Sequence, residues 1–337
     1  MADKPKILII RNDHIGDMVL ATQVFREIRR SVPDVELWAL ASPINGHIIE
    51  KDRNIDKILE IEMPSSKPLT LLNYLIMALK LRKEKFDYGI DLRGSKLNAW
   101  LMKTAGIKNR MSRTDWHPEI AKLLTNSIIP KKGHIIKQNL DIVNKGLNIK
   151  AKDYWPEIAV SKEDRKEVES FFRKNKLKSY ICICPGTSFE LQRWKTENFE
   201  ELIRYIVKNY PQYKMLLIGG KKDKIIISKL MISDRCLSLI GFNLRALSLI
   251  FRKSRCVIAL DGGPMHIAWV SGAKTIALLG PLDMNLLRPL KNSLILYHKL
   301  PCNPCSKKLK DCPMKDGERC MDLISVSEVI SAIDRIL

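Results

Sequence analysis

The residues whose chemistry is easiest to interpret lie between 256 and 281, where an apolar run leads through an Asp-Gly-Gly-Pro turn into a helical pattern. The run predicts a buried parallel strand, and Pro264 suits the first turn of a helix, where its missing N–H is not needed. The glycines let a ligand approach the backbone, and the N–H groups at the start of the helix attract anions. We therefore expect a phosphate or diphosphate site here; the alternatives are a ligand-free turn and a packed or capping histidine. Its predicted residues are Asp261, Gly262, Gly263 and His266.

Two other predicted strands in the second half of the chain also end in small residues. Gly-Thr-Ser at 186–188 offers N–H groups and hydroxyls to a phosphate, which nearby cations can neutralise. Gly-Gly at 219–220 precedes an acid placed to accept hydrogen bonds from ribose hydroxyls; a solvated loop charge is the alternative. The residues predicted to bind a ligand here are Thr187, Ser188, Arg193, Lys195, Gly219, Gly220 and Asp223. Trp194 is expected to pack in the core, with stacking on a base as the alternative.

The first predicted strand, at 6–10, leads through Arg11 and a short loop to Asp17. Asp17 falls in the first turn of the next predicted helix, where the helix dipole keeps a carboxylate ionised. An ionised carboxylate at a ligand cleft can act as a general base. Asp13 and His14 of the same loop are alternative bases, and a simple helix-start acid is the alternative role for Asp17.

The chain has eight cysteines, and four of them follow the spacing C-x2-C-x6-C-x7-C in a proline-containing segment at 301–320. These four are Cys302, Cys305, Cys312 and Cys320. Four thiolates can hold zinc or iron tetrahedrally, so a structural metal is one hypothesis, and disulfides and free thiols are the others. The remaining four cysteines lie in apolar runs and are predicted to be core residues. No cofactor is expected to take part in catalysis.

The composition favours a two-domain protein with an acidic partner. The chain has 337 residues, 45% of them hydrophobic, and its 58 Lys and Arg against 37 Asp and Glu give a net charge of +21. This charge suits a nucleotide, a phosphorylated glycan, an anionic lipid or a nucleic acid, and it does not choose among them. The absence of G-x-G-x-x-G after the first strand and of G-x-x-x-x-G-K-[ST] disfavours nicotinamide enzymes and P-loop NTPases. Nothing near the N-terminus resembles a secretory signal, so we expect a cytoplasmic protein.

The longest apolar stretch, at 68–79, is too short to span a bilayer, which takes about 20 residues. It is followed by Lys80, Arg82, Lys83 and Lys85. We expect a buried helix with a solvated basic end, and the alternative is an interfacial helix attracted to anionic lipid.

Short β-rich runs alternate with longer helical patterns along both halves, as in doubly wound parallel sheets. Strands are predicted at 6–10, 35–39, 57–61, 88–91, 180–184, 214–218, 237–239, 256–260 and 275–279. Helices are predicted at 17–30, 69–85, 135–147, 162–174, 196–209, 222–232, 244–253 and 326–337. We expect an α/β protein of two Rossmann-like domains that face each other across a cleft, with a linker around 148–161.

Four segments together resemble glycosyltransferase family 9, the heptosyltransferases. They are I-L-I-I-R-N-D-H-I-G-D-M-V-L-A-T at 7–22, P-G-T-S at 185–188 with Arg-Trp at 193–194, I-G-G at 218–220, and D-G-G-P-M-H-I-A at 261–268 followed by L-L-G-P. The resemblance implies a GT-B fold and inverting, metal-independent transfer of heptose from ADP-heptose to a lipopolysaccharide core, with Asp17 as the base. It also implies an acceptor-binding domain at 1–155, a nucleotide-sugar-binding domain at 156–322, and a helix in 323–337 that returns to the first domain. A glycolipid acceptor would bring the protein to the inner face of the inner membrane.

Two departures from the family pattern concern the donor site. Gln192-Arg193-Trp194-Lys195 stands where relatives carry Lys-x-Trp-Pro, so Arg193 or Lys195 must replace the usual phosphate-binding lysine. Asp-Gly-Gly replaces the commoner Asp-Ser/Thr-Gly, which removes one hydroxyl donor. The competing hypotheses are a nucleotide-sugar epimerase or hydrolase of the same fold and a basic nucleic-acid-binding protein. The lack of a helix-turn-helix or RNA-binding signature disfavours the second.

Overall fold

The computed structural model describes residues 4–305, 311–314 and 319–337. The chain divides into two compact units, Met1–Ala159 and Val160–Leu337. Each unit contains a six-stranded sheet in which all neighbouring strands are parallel. Parallel strands that alternate with helices form the doubly wound α/β architecture, so the structure confirms the predicted fold class.

The first unit alternates strands and helices along its length. Its strands are β1 (Lys6–Arg11), β2 (Glu36–Ala41), β3 (Lys57–Glu60), β4 (Tyr88–Asp91), β5 (Asn109–Arg113) and β6 (Asn126–Ile128). Its α-helices are α1 (Ile15–Val19), α2 (Thr22–Ser31), α3 (Gly46–Ile49), α4 (Pro68–Lys83), α5 (Lys96–Thr104) and α6 (Ile135–Leu147). The strand order is β3-β2-β1-β4-β5-β6, which makes β1 and β4 the neighbours at the centre.

The second unit repeats this arrangement. Its strands are β7 (Tyr180–Cys184), β8 (Lys214–Gly219), β9 (Cys236–Ile240), β10 (Val257–Leu260), β11 (Thr275–Leu279) and β12 (Ser293–Tyr297). Its α-helices are α7 (Lys162–Lys174), α8 (Thr196–Asn209), α9 (Lys224–Lys229), α10 (Leu244–Lys253), α11 (Gly263–Val270), α12 (Met284–Leu287) and α13 (Val326–Asp334). The strand order is β12-β11-β10-β7-β8-β9, so β10 and β7 are the central neighbours.

Apolar runs account for the inner strands, since β7 and β10 are buried at every position. The helix predicted at 17–30 is instead two helices, α1 and α2, because the chain turns at residues 20–21 between them. Strands β5, β6 and β12 were not predicted, although the sequence SLILY of β12 is apolar. The sequences NRMSR and NSI of β5 and β6 are largely polar. Strands toward the edge of a sheet need less apolar surface than central ones, so periodicity does not identify them.

The last helix, α13, packs on the second unit, against α8, β11 and β12. Its buried contributions to the core of that unit are Val326, Val329, Ala332 and Ile333. Just before the helix, the carbonyl of Ile324 accepts a hydrogen bond of 2.8 Å from the indole N–H of buried Trp194. The core role predicted for Trp194 is confirmed. The expected return of 323–337 to the first domain stays a prediction.

Helix α4 differs from the buried helix that we expected. Its buried residues lie on one face and are Thr70, Tyr74, Ala78 and Leu81. Large apolar side chains cover the opposite face, where they are exposed. Apolar residues surround the first three turns of this helix, so the sequence pattern alone does not show which face is covered. In the described part of the chain, no helix is long and apolar enough to cross a membrane.

Candidate functional site

Each sheet has one pair of neighbouring strands from which the chain continues toward opposite edges of the sheet. This pair is β1 and β4 in the first unit and β7 and β10 in the second. With right-handed connections, the helices that follow such strands lie on opposite faces and leave a crevice at the carboxyl ends, where ligands bind. Strand β1 is followed by residues 12–17, which include the first turn of α1. Strand β7 is followed by residues 185–192, and β10 by residues 261–266, which include the first turn of α11. The structure therefore places Asp17 at the first crevice. It places six predicted residues at the second: Thr187, Ser188, Asp261, Gly262, Gly263 and His266.

An ion-paired cluster of three residues lies at the carboxyl end of β1. Arg11, the last residue of the strand, is buried, and its Nη2 donates a hydrogen bond of 2.7 Å to Oδ1 of Asp17. Its Nε lies 3.2 Å from Oδ1 of Asp13. Its Nη1 donates to the carbonyl of Leu92, which follows β4. One guanidinium therefore faces two carboxylates and links the two central strands.

The two carboxylates differ in their access to solvent. The side chain of Asp17 is 21% exposed, whereas that of Asp13 is 8% exposed. Burial raises the pKa of Asp13 to about 7, although the Arg11 guanidinium opposes the increase. His14 is the N-cap residue of α1, and Asp17 lies in the first turn as predicted. A general base must reach the proton of its substrate, so Asp17 is the better placed of the two acids.

Buried amide side chains hold the loop after β1 in place. Nδ2 of Asn12 donates to the Tyr74 hydroxyl on α4 at 2.6 Å, and Nδ2 of Asn98 on α5 donates to Oδ1 of Asn12 at 3.0 Å. Nδ2 of Asn45, the N-cap residue of α3, donates to the carbonyl of Asp13 at 3.1 Å. Sequence reasoning missed these supporting residues, since each is more than 30 positions from its partner and no local pattern marks it.

A chain of buried polar side chains joins β7 to β10 in the second unit. Oγ1 of Thr187 donates to Oε1 of Gln192 at 2.8 Å, and Nε2 of Gln192 donates to Oδ2 of Asp261 at 3.2 Å. Oδ1 of Asp261 lies 3.7 Å from Nε2 of His266. From the sequence, Gln192 indicates only the loss of a lysine. The structure shows instead that its amide connects the two central strand ends.

The orientation of His266 is determined by Trp269, one turn further along α11. The indole N–H of Trp269 donates to Nδ1 of His266 at 3.2 Å. Because an indole nitrogen can only donate, Nδ1 must be the acceptor, and the proton of the neutral imidazole lies on Nε2. The Nε2–H therefore faces the Asp261 carboxylate and the start of the helix. Trp269 is a second residue that sequence reasoning missed, although its i+3 spacing from His266 is a usable indication.

Helix α11 begins as predicted, with Gly262 as the N-cap residue and Pro264 in its first turn. Gly272 follows the helix with φ +88°, a left-handed conformation that favours glycine and suits its predicted C-terminal position. Ser188, in the loop after β7, is exposed to solvent. The backbone N–H groups at the start of α11 are available for an anion at the same strand ends.

The carboxylate of Asp223 packs against the backbone of two strand ends. It accepts a hydrogen bond of 2.8 Å from the N–H of Gly220. A Cβ added at Gly186 would lie 2.3 Å from this carboxylate, and one added at Gly219 would lie 2.7 Å from Cβ of Asp223. Both positions therefore require glycine because of close approach to this side chain.

The remaining predicted cations line a pocket of about 630 Å³ between the chain segments that follow β7 and β8. Nη1 of Arg193 lies 3.0 Å from Glu190, and Nζ of Lys195 lies 3.3 Å from Asp322. Other basic residues of this pocket are Lys222, Lys229 and Arg319. Neither Asp261 nor His266 lines it. The structure thus divides the predicted donor residues into a buried polar chain and a basic pocket.

The four clustered cysteines occur in the part of the segment that the structure describes, and none forms a disulfide. Burial raises the pKa of Cys305 to about 11, and the neighbouring thiol of Cys302 adds to the increase. The chain binds back onto the end of β11 here, because the N–H of Cys305 donates to the carbonyl of Pro281 at 2.7 Å. Among the described residues, no group of three or more His, Cys, Asp or Glu lies at metal-binding distances.

Two doubly wound units in one chain, each with polar residues at its central strand ends, are typical of GT-B glycosyltransferases, which use nucleotide sugars. The family model of glycosyltransferase family 9 (heptosyltransferase) matches residues 75–315, which is most of the chain. The chain therefore belongs to glycosyltransferase family 9.

Individual relatives agree with this assignment. The chain is 22% identical to lipopolysaccharide heptosyltransferase 2 of Escherichia coli K12, over 88% of this chain and 90% of that protein. It is 24% identical to lipopolysaccharide heptosyltransferase 1 of Campylobacter coli, over 86% and 89%. The solved family 9 structure from Veillonella parvula has a TM-score of 0.84 at 19% identity, covering 100% of this chain and 98% of that one. The Escherichia coli ADP-heptose lps heptosyltransferase II structure has a TM-score of 0.79 at 17% identity, covering 98% of each chain. These superpositions show the shared fold.

The buried Asp13 carboxyl predicts a pH-dependent stability. The pKa of this carboxyl is 3.8 in the unfolded chain and about 7 in the folded chain, so the folded chain holds its proton more tightly. The resulting stabilisation is complete below pH 3.8 and is lost as the pH rises through about 7. We expect Asp13→Asn to gain stability relative to the parent chain as the pH increases from about 5 to about 8. Urea unfolding at both pH values measures this, with exposed Asp34→Asn as the control. A difference between Asp13→Asn and the parent that is the same at both pH values would contradict the prediction.

Proposed function

We propose that this chain transfers heptose from ADP-heptose to a hydroxyl of a lipopolysaccharide core, with inversion at the anomeric carbon. Membership of the heptosyltransferase family carries this proposal, together with relatives named lipopolysaccharide heptosyltransferases. A solved structure of similar fold is described as E. coli heptosyltransferase WaaC with ADP. A glycolipid acceptor would bring the reaction to a membrane surface.

Asp17 is the proposed general base. Its carboxylate would accept the proton of the acceptor hydroxyl while the hydroxyl oxygen forms a bond to the anomeric carbon of the donor. The bond between that carbon and the diphosphate oxygen breaks at the same time, and attack from the opposite side inverts the configuration. The ion pair with Arg11 at 2.7 Å supports this role, because it orients the carboxylate.

The second unit would bind the donor. The diphosphate would lie at the N-terminus of α11, near Gly262 and Gly263, with the Nε2–H of His266 as a further donor. Gln192 would hold Asp261 in place and contribute no charge. The basic pocket that contains Arg193 and Lys195 would then supply the positive charge, so that negative charge on the leaving group is neutralised by protein cations. These cations support the proposal that transfer is metal-independent.

The cysteine-rich segment would hold a structural zinc or iron ion. Thiolates are the ligands that both metals accept in tetrahedral sites. Sγ of Cys305 lies 3.5 Å from the carbonyl oxygen of Cys302, so the first two cysteines of the segment are adjacent. A Cβ at Gly280, just after β11, would clash with the side chain of Met321 and lie 3.4 Å from Sγ of Cys320, so this glycine allows both residues to pack against the strand end. A solved structure of similar fold is described as the iron-containing dodecameric glycosyltransferase TibC. The metal would connect the segment to the sheet and take no part in transfer.

Replacing Asp17 tests the proposed base. Asp17→Asn keeps the shape of the side chain but removes the proton acceptor, so transfer should fall by about 10² to 10⁴-fold. The matched control is Asp56→Asn, which removes another carboxylate paired with an arginine at 2.6 Å in the same unit. Measuring transfer to a lipopolysaccharide core acceptor by product mass provides the comparison. Near-normal turnover in Asp17→Asn would direct attention to Asp13, and loss of nucleotide binding would indicate a structural role.

Nucleotide binding tests the proposed donor site. ADP should raise the melting temperature of the chain, because a ligand that binds only the folded state stabilises it. His266→Ala should reduce this shift, whereas His298→Ala, which removes a histidine paired with Glu328 on α13, should leave it unchanged. Thermal shift assays with ADP and UDP measure both effects. A larger shift with UDP would exclude ADP-heptose as the donor, and no shift with either nucleotide would exclude the site.

Metal analysis tests the cysteine-rich segment. Protein purified without added metal should contain about one zinc or iron ion per chain. Replacing Cys302 and Cys305 by Ser should abolish it, whereas Cys236→Ser, in the core of the second unit, should not. Elemental analysis by mass spectrometry provides the measurement. Metal-free protein with four alkylatable thiols in this segment would refute the proposal.

A further inference from the structure

The outer face of α4 is the largest cluster of exposed apolar side chains in the described chain. Of the 14 large apolar residues that are exposed there, six belong to this one helix. They are Leu69, Leu71, Leu72, Leu75, Ile76 and Leu79, which are between 40% and 65% exposed. Isolated apolar side chains on a surface need no explanation, whereas a continuous apolar patch marks a site of association.

Positive charge follows this patch on the same helix. Leu72, Ile76, Leu79 and Lys83 are three or four residues apart, so they form one stripe along the helix that changes from apolar to basic. The last turn contains Lys80, Arg82 and Lys83. The one acid of residues 67–85 is Glu84, which lies 2.7 Å from Nζ of Lys6 and is therefore already compensated.

An apolar face that ends in cations without an ion pair among the described residues fits the interface of an anionic membrane. Apolar side chains enter the boundary between headgroups and acyl chains, and Lys and Arg bind the anionic headgroups. A second copy of the chain fits less well, because each copy carries a net charge of +21 and the cations beside both patches would repel. At 16 residues, α4 is about 24 Å long, so it can lie in the interface but not cross it.

We propose that α4 docks this chain onto an anionic membrane surface, with its outer face inserted in the interface and its basic end against the headgroups. The inner face of the same helix supports the loop that carries the proposed base, since the Tyr74 hydroxyl lies 2.6 Å from Asn12. Docking therefore places that loop about one helix diameter, about 10 Å, from the lipid headgroups. A lipid-anchored acceptor would therefore reach Asp17 while its lipid stays in the membrane. This last step rests on the proposed function, whereas lipid binding does not.

Vesicle flotation tests the docking surface directly. We expect the chain to float with phosphatidylcholine vesicles that contain about one third phosphatidylglycerol, and to bind pure phosphatidylcholine at least about tenfold more weakly. The double variant Leu72→Gln/Ile76→Gln should bind the anionic vesicles at least about tenfold more weakly than the parent chain. The double variant Lys80→Ser/Lys83→Ser should lose the preference for anionic lipid. The matched control is Ile129→Gln, which changes an exposed isoleucine outside the patch.

The outcomes separate docking from catalysis and from self-association. The Leu72→Gln/Ile76→Gln variant should keep its melting temperature and its shift with ADP, and it should glycosylate a deacylated, water-soluble acceptor as well as the parent does. Transfer to the lipid-anchored acceptor in vesicles should fall. If neither chain transfers heptose, flotation still tests docking by itself. Equal flotation of this variant and the parent would overturn the proposal. A second outcome would also overturn it: the parent chain sediments as a dimer and the variant sediments as a monomer. In that case a second copy of the chain would cover the patch.

Discussion

The direction of the strands is the constraint on which the candidate sites of both units depend. In a parallel sheet all carboxyl ends lie on one edge, and the right-handed connections from two neighbouring central strands lead to opposite faces. That condition is met at β1 and β4 and again at β7 and β10. Residues that are distant in sequence, such as Gln192 and Asp261, become hydrogen-bonded neighbours because they follow adjacent strands.

Compensation of buried charge determines the arrangement of side chains at the candidate site of each unit. Arg11 is almost completely buried, so its guanidinium requires partners, and Asp13, Asp17 and the Leu92 carbonyl supply them. In the second unit the buried Asp261 carboxylate is compensated by neutral donors instead, through the Gln192 amide and the imidazole of His266. A lysine at position 192 would bring a positive charge into this chain of hydrogen bonds. Its absence leaves the basic pocket around Arg193 and Lys195 as the source of positive charge.

The two faces of α4 illustrate how one element serves stability and association together. The inner face is buried in the first unit, where Tyr74 holds Asn12 and burial raises the pKa of the Tyr74 phenol. The outer face has no partner in its own unit among the described residues, and its apolar side chains remain in solvent. Burying those side chains in an interface would therefore leave the contacts beneath the proposed base unchanged.

The sequence by itself determined the features that depend on local pattern. Apolar runs, glycine turns and helix-start residues identified most strands, placed Asp17 in the first turn of α1, and located the start of α11 near Pro264. Tertiary structure alone decided which side chains meet across 60 or more positions, as in Asn12 with Tyr74 and Gln192 with Asp261. It also decided that α13 covers its own unit and that α4 leaves its apolar face exposed. Local periodicity records which residues are apolar, but only packing determines which neighbour covers them.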